Sequence, residues 1–86
     1  MNYEKLTKLM NGETVKVGKK NNQIYLDKAT DLFVVEMYEF TSDLEGEMFS
    51  IGDSFENIEV AVAVATRYTC ETYNYEVQQR LLKQFA

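Results

Sequence analysis

The chain contains no histidine and only one cysteine, Cys70. Histidine is the commonest general base and metal ligand in proteins, so the usual side chain for acid–base catalysis is missing. A single cysteine cannot form an intramolecular disulfide, and without histidine it cannot complete a zinc site. The four glycines stand singly in the sequence and form no phosphate-binding loop. The sequence therefore predicts a protein that is not an enzyme and that needs no cofactor.

One oxygen-rich segment has the alternating acids of a calcium loop. Asp43, Glu45 and Glu47 are spaced like the first ligands of an EF-hand. The glycine, however, falls between the second and third acids, and Ser54 stands at the twelfth position where an EF-hand has glutamate. The motif is not met, so we predict no metal site.

The chain also lacks a long apolar run and a basic patch. No stretch approaches the roughly 20 apolar residues that span a bilayer, and no signal-peptide pattern opens the chain. A formal net charge of −5 without clustered lysine or arginine disfavours direct contact with nucleic acid or with an anionic membrane. We expect one domain over residues 1–86, located in the cytoplasm, where a lone cysteine stays reduced.

Positive charge is absent from the whole middle of the chain. Between Ala29 and Thr66 there is no lysine or arginine, but there are nine carboxylates. They are Asp31, Glu36, Glu39, Asp43, Glu45, Glu47, Asp53, Glu56 and Glu59. The preceding 28 residues carry six lysines and only three acids. The middle segment therefore produces a negative field that attracts basic surfaces and repels phosphate backbones.

Alternation of polar and apolar residues predicts an antiparallel sheet. Residues 14–17 and 23–27 alternate and are joined by a polar, turn-prone segment, which indicates a hairpin. Residues 32–41 give the longest strand signal, with apolar Phe33, Val35 and Met37 on one face. A turn over residues 43–47 leads to a short fourth strand over residues 48–51.

Helices are predicted at both ends of the chain. Asn2 can cap a short helix that runs to about Met10. Tyr3, Leu6 and Met10 fall on one face of this helix at helical spacing, and that face is expected to dock on the rest of the fold. Asp53 and Glu56 form a pair like a capping box, which predicts the start of a long C-terminal helix. That helix either continues nearly to the C-terminus or breaks near Asn74.

The C-terminal helix is apolar on two sides. Phe55, Ile58, Val62, Ala65, Thr69 and Tyr73 are expected to face the sheet. The opposite side carries candidate residues for an oligomer interface, namely Val60, Val64, Tyr68 and Tyr75. The elements together predict the α+β class: a short N-terminal helix, a three- to four-stranded antiparallel sheet, and a C-terminal helix packed on one face.

The acidic middle segment has two interpretations. It can be a solvated face that helps a small protein stay in solution. It can also be a binding surface whose carboxylates take the place of the phosphates that a partner normally binds. Aromatic residues among the acids favour a surface with anchors and a polar rim. The candidate partner-binding residues are Glu36, Tyr38, Glu39, Asp43, Glu45, Glu47, Asp53, Glu56 and Glu59.

Several features together resemble a known class of proteins. The start Met1-Asn2 with Leu6 in a short helix, the strand over residues 14–17, the small sheet, the acidic middle and a Tyr/Glu-containing C-terminal helix are similar to the small phage-encoded anti-CRISPR proteins. The likeness is to those that inhibit Cas9 in Gram-positive hosts. It implies a non-enzymatic inhibitor that binds the basic, DNA-contacting surface of a Cas effector, often where the PAM duplex docks. The lysine-rich first third departs from the most acidic members, so one edge alone could act as the mimic.

The alternative is a structural module of phage or mobile-element origin. In that case the second apolar side of the C-terminal helix forms a homodimer, and the acidic segment is only a solvated face. The two hypotheses are compatible, because a dimeric inhibitor could use both surfaces.

Overall fold

The computed structural model describes residues 1–18, 22–41 and 47–86, and within 39–41 and 47–51 it describes the backbone. The elements follow one another as helix α1, strands β1 to β4, and helices α2 and α3. Their bounds are α1 Tyr3–Met10, β1 Val15–Lys16, β2 Gln23–Asp27, β3 Leu32–Thr41, β4 Glu47–Phe55, α2 Ile58–Arg67 and α3 Tyr75–Gln84. The expected α+β class with a four-stranded antiparallel sheet is confirmed.

The sheet is a meander in which sequence neighbours pair in the order β1-β2-β3-β4. Val15 lies opposite Ile24, Ile24 opposite Val35, and Phe33 opposite Phe55. Because side chains alternate along a strand, paired residues share a face, and this register places the buried residues of all four strands on one side. The expected bounds of β3 are confirmed, and Val35 and Met37 are fully buried as expected.

Helix α1 begins and ends at the expected signals. The Asn2 side chain accepts a hydrogen bond from the Lys5 amide at 2.9 Å, which satisfies one of the free N–H groups of the first turn. The chain leaves the helix through Gly12, whose φ of +88° suits a residue without a side chain. The docking side was predicted wrongly, however, because Leu9 is the buried residue of α1, whereas Tyr3 and Met10 are exposed.

The predicted long C-terminal helix is wrong at its start. Asp53 does not cap a helix, since β4 continues to Phe55 and buries it against the core. Extra strand pairing and burial of an aromatic ring outweigh a local capping signal. The true cap of α2 is Asn57, whose side chain accepts from the Glu59 amide at 2.8 Å.

The predicted C-terminal helix is also interrupted before Asn74, which agrees with one of the two alternatives, a break near this residue. Helix α2 ends at Arg67, and α3 begins at Tyr75 with the Asn74 side chain accepting from the Val77 amide at 3.0 Å. Two short helices therefore replace one long helix.

A single apolar cluster joins the sheet to the helices. Its helical members are Leu9 of α1, Val60, Ala61, Ala63, Val64 and Ala65 of α2, and Val77 and Leu81 of α3. Three alanines in α2 allow this helix to lie close to the strands. Within the described residues, every buried polar side-chain atom has a hydrogen-bond partner, as expected of a well-packed interior.

Asn22 links the first hairpin to the end of α2. Its side chain is 3% exposed, and its amide nitrogen donates to the carbonyl oxygens of Ala65 and Tyr68 at 2.8 Å each. The last carbonyl groups of a helix lack partners within the helix, so Asn22 satisfies groups that would otherwise be buried without one.

Candidate functional site

Strands β3 and β4 are longer than the rest of the sheet. Strand β2 pairs with β3 only as far as Glu36, whereas β3 and β4 remain paired to Thr41 and Glu47. We call residues 37–41 and 47–51 the β3–β4 extension. Five residues per strand at about 3.4 Å each make it roughly 17 Å long. Two of the acids, Glu39 and Glu47, thus belong to a two-stranded ribbon beyond the end of β2.

The extension brings together part of the predicted acidic set. Glu39 pairs with Phe49, and Glu47 pairs with Thr41 two positions further along β3, so Glu39 and Glu47 lie near each other along the ribbon. Glu36 stands at the base, opposite Gly52. Asp43 and Glu45 lie outside the described residues, as does the predicted turn around them.

Glu36 and Tyr38 form a polar group with a residue of β2. The Gln23 side-chain nitrogen donates to Glu36 Oε1 and to the Tyr38 hydroxyl oxygen, both at 3.1 Å. Desolvation and a hydrogen bond with Glu36 raise the pKa of Tyr38 above its usual value. Two predicted partner-binding residues are therefore held side by side on the sheet face opposite the core.

Asp53 has a different role from the one predicted. Its Oδ2 accepts hydrogen bonds from the Tyr73 hydroxyl and from Gln78 Nε2, the latter at 2.6 Å, and its Oδ1 accepts from the Ser54 amide at 2.8 Å. Burial, followed by the bond to Asp53, raises the pKa of Tyr73 far above its usual range. Asp53 thus joins β4 to the α3 region and does not act as a helix cap.

Glu56 and Glu59 are exposed but lie at the other end of β4. Glu56 follows Phe55, which is eight positions from Glu47 along the strand. At about 3.4 Å per residue, that separation is roughly 27 Å. The nine acids are continuous in sequence, but the fold separates these two from the β3–β4 extension.

The four oligomer-interface candidates do not form one surface. Val60 and Val64 are 2% and 0% exposed and belong to the core, so their side chains cannot contact a second copy of the chain. The face assignment was wrong because α2 packs on the sheet through these valines and its alanines, leaving Ile58 and Val62 half-buried on the other side.

The other two candidates lie at the break between α2 and α3. Tyr68 is half-buried, packs edge-on against the Tyr73 ring at 6.4 Å between centroids, and accepts from Arg80 at 3.4 Å. Tyr75 is 73% exposed.

Sequence reasoning missed an apolar groove between α1 and α2. It has a volume of about 360 Å³, and its apolar lining comes from Met1, Leu6, Ile58, Val62 and Phe85. The signal was present in the spacing of Leu6 and Val62, but both were assigned to the buried side of their helices.

Other kinds of site find no support in the described part of the chain. Residues 1–18, 22–41 and 47–86 contain no group of three acidic or cysteine side chains arranged to hold a metal ion. Over the same ranges, no helix has the length and apolarity required to cross a membrane.

Comparison of the chain with protein-family models, with curated proteins and with solved structures found no match. The geometry of the β3–β4 extension is therefore the basis for assigning a function.

Proposed function

We propose that the protein is a non-enzymatic inhibitor that binds a basic, nucleic-acid-contacting surface of another protein through its β3–β4 extension. The observation that carries this proposal is that Glu39 and Glu47 lie in a paired ribbon longer than its neighbouring strand, with Glu36 at its base. Five acids and no base lie between residues 36 and 47.

A ribbon suits this role because strand pairing holds its acidic positions at fixed places along the backbone. Lysine and arginine side chains placed to contact phosphates could then pair with carboxylates instead. Such a complex would form quickly at low salt and weaken as salt rises.

The group formed by Gln23, Glu36 and Tyr38 supplies a second element of the surface. Tyr38 presents an aromatic ring beside a carboxylate on the sheet face opposite the core, and Gln23 fixes both. Tyrosine next to charged groups is a frequent anchor in protein interfaces. The resemblance to anti-CRISPR proteins makes a guide-loaded Cas9 the first partner to test, in the cytoplasm of a bacterial host.

The exposed groove between α1 and α2 favours a second candidate function, a homo-oligomeric module. It uses a different surface from the β3–β4 extension and does not exclude inhibition.

The test is affinity capture on the immobilised protein. Bacterial lysate supplemented with guide-loaded Cas9 is applied, and bound protein is eluted first with duplex DNA and then with salt. We expect a basic nucleic-acid-binding protein to be retained and then released by duplex DNA. Retention of no such protein would contradict the proposal.

Two variants with equal charge change make the result specific. The hairpin variant carries Glu36→Gln, Glu39→Gln, Glu45→Gln and Glu47→Gln. The control variant carries Glu4→Gln, Glu13→Gln, Glu71→Gln and Glu76→Gln, all exposed positions outside the acidic middle. Capture by the control variant but not by the hairpin variant is expected. Equal capture by both would show that net charge, and not the extension, is responsible.

A further inference from the structure

The N-terminal helix leaves most of its apolar side chains uncovered. Of the six large apolar residues that are exposed among the described ones, four fall within the first ten residues. They are Met1 at 48%, Tyr3 at 84%, Leu6 at 38% and Met10 at 53% exposure. Tyr3, Leu6 and Met10 share one face of α1 at helical spacing. An exposed apolar stripe of this kind marks a surface that another molecule covers.

The stripe is continuous with the groove between α1 and α2. Leu6 belongs to both, and Met1 lies at the groove beside it. Ile58 and Val62 form the α2 wall, and Phe85 adds an aromatic ring from the C-terminal end. The stripe and the groove make one apolar surface, which we call the α1–α2 surface.

The charges bordering the α1–α2 surface complement each other. Glu59 lies in the first turn of α2 and Arg67 in its last turn, and both line the groove. Within the part of the chain that the structure describes, neither forms an ion pair. Val62 lies between them in sequence, and it is half-buried on the side of α2 that lines the groove.

We propose that the α1–α2 surface binds a second copy of this chain, forming a two-fold dimer with the two α2 helices antiparallel and crossing near the middle of α2, on the side that carries Val62. An isologous contact requires a patch that complements itself. Antiparallel helices that cross there place Glu59 of each copy near Arg67 of the other. Met1 and Leu6 of each copy then cover the apolar groove of its partner. This inference rests on the second candidate function, the homo-oligomeric module, and it is independent of the proposed inhibition.

Sedimentation equilibrium between about 1 and 200 μM tests the dimer. The wild type is expected to show a concentration-dependent dimer. Leu6→Glu should remain monomeric, and Leu82→Glu provides the matched control, since Leu82 is 41% exposed on α3 and does not line this groove. Circular dichroism confirms that both variants are folded. A wild type that is monomeric throughout, or a dimer that survives Leu6→Glu, overturns the proposal.

Charge exchange tests the orientation. Glu59→Arg and Arg67→Glu each place like charges together at two symmetric positions, and each should weaken dimerisation about tenfold. The double variant restores both pairs and should return to within about threefold of the wild type. Failure of the double variant to recover would overturn the antiparallel arrangement.

Discussion

The helix-covered part of the sheet and the β3–β4 extension share strands β3 and β4 but differ in how their polar residues are used. Under the helices, Asn22 and Asp53 each have internal partners, and within the described residues no buried polar side-chain atom lacks one. In the extension, the sequence places acids without a single base among them. Stability and partner binding should therefore reside in different parts of the molecule, and substitutions should separate them.

The substitution with the largest expected effect lies in α2, which covers the sheet. Val64→Glu buries a charge at a position with 0% exposure, and it should destabilise the domain by more than about 4 kcal/mol, enough to unfold it. Tyr75 was a candidate for the same oligomer interface, but it is 73% exposed. Tyr75→Glu should therefore change the free energy of unfolding by less than about 0.5 kcal/mol. Chemical denaturation measures both. A folded Val64→Glu protein would contradict the placement of this residue in the core.

Gly18 tests the close approach of the first hairpin to α2. Its φ is +82°, and an added Cβ would lie 2.8 Å from the backbone oxygen of Ala65. Gly18→Ala should cost about 3 kcal/mol, because both the backbone conformation and the contact with a rigid carbonyl oppose it.

Gly12→Ala is the matched control for this effect. Its φ is similar, at +88°, but its nearest neighbour at 3.0 Å is the flexible end of the Lys28 side chain. The expected cost is about 1 kcal/mol. Equal losses in the two variants would show that φ alone matters and that the contact with Ala65 does not.

Asn22→Ala should cost about 2 kcal/mol, because it removes two hydrogen bonds and leaves buried carbonyl oxygens without a donor. Asn57→Ala, at the opposite end of the same helix, removes an exposed cap and should cost about 1 kcal/mol. Thermal unfolding of the two variants shows which substitution causes the larger loss of stability. A smaller loss for Asn22→Ala than for Asn57→Ala would contradict the role assigned to Asn22.

Tyr73 gives a pH-dependent test of the link between β4 and the α3 region. Its pKa is raised in the folded state, so its contribution is fully present below the ordinary value of 10.0. Above that pH the unfolded chain loses a proton that the folded protein retains, and the free energy of unfolding falls.

Tyr73→Phe should therefore lower stability by about 1 kcal/mol at pH 8 and make the decline above pH 10 less steep. Urea unfolding at pH 8, 10 and 11 gives the comparison, with exposed Tyr75→Phe as the control. An unchanged slope would contradict the hydrogen bond to Asp53.

The sequence was most informative where local and tertiary signals agreed. The ten residues of β3 predicted its bounds, because its alternating apolar residues bury one face and the strand is paired along its whole length. Asn2 was recognised as a helix cap because its capping chemistry is local, whereas a break near Asn74 was one of two alternatives and its capping role was missed. The α+β class with an antiparallel sheet followed from these elements.

The predictions were wrong where the local sequence favours two faces of a helix, or a helix and a strand, to nearly the same degree. Asp53 has the local features of a helix cap, but pairing of Phe55 with Phe33 extended β4 past it. In α2, the larger residues Ile58 and Val62 were expected inside, whereas the tight packing used alanines beside Val60 and Val64. The choice depends on the distance between helix and sheet, which no single segment encodes.

The candidate site could be predicted only in part, for a similar reason. The acidic segment was evident from composition, but which acids share a surface depends on strand register and on the point where β2 ends. Glu39 and Glu47 lie in the β3–β4 extension and Glu36 lies at its base, whereas Glu56 follows the far end of β4.

The most direct test of the account is the affinity of purified guide-loaded Cas9 for the wild type, the hairpin variant and the control variant, measured at one low salt concentration. We expect the hairpin variant to bind at least about 100-fold more weakly and the control variant to stay within about threefold, with unfolding free energies unchanged within about 0.5 kcal/mol. Hairpin and control variants that bind equally well would contradict the claim that the β3–β4 extension is the binding surface.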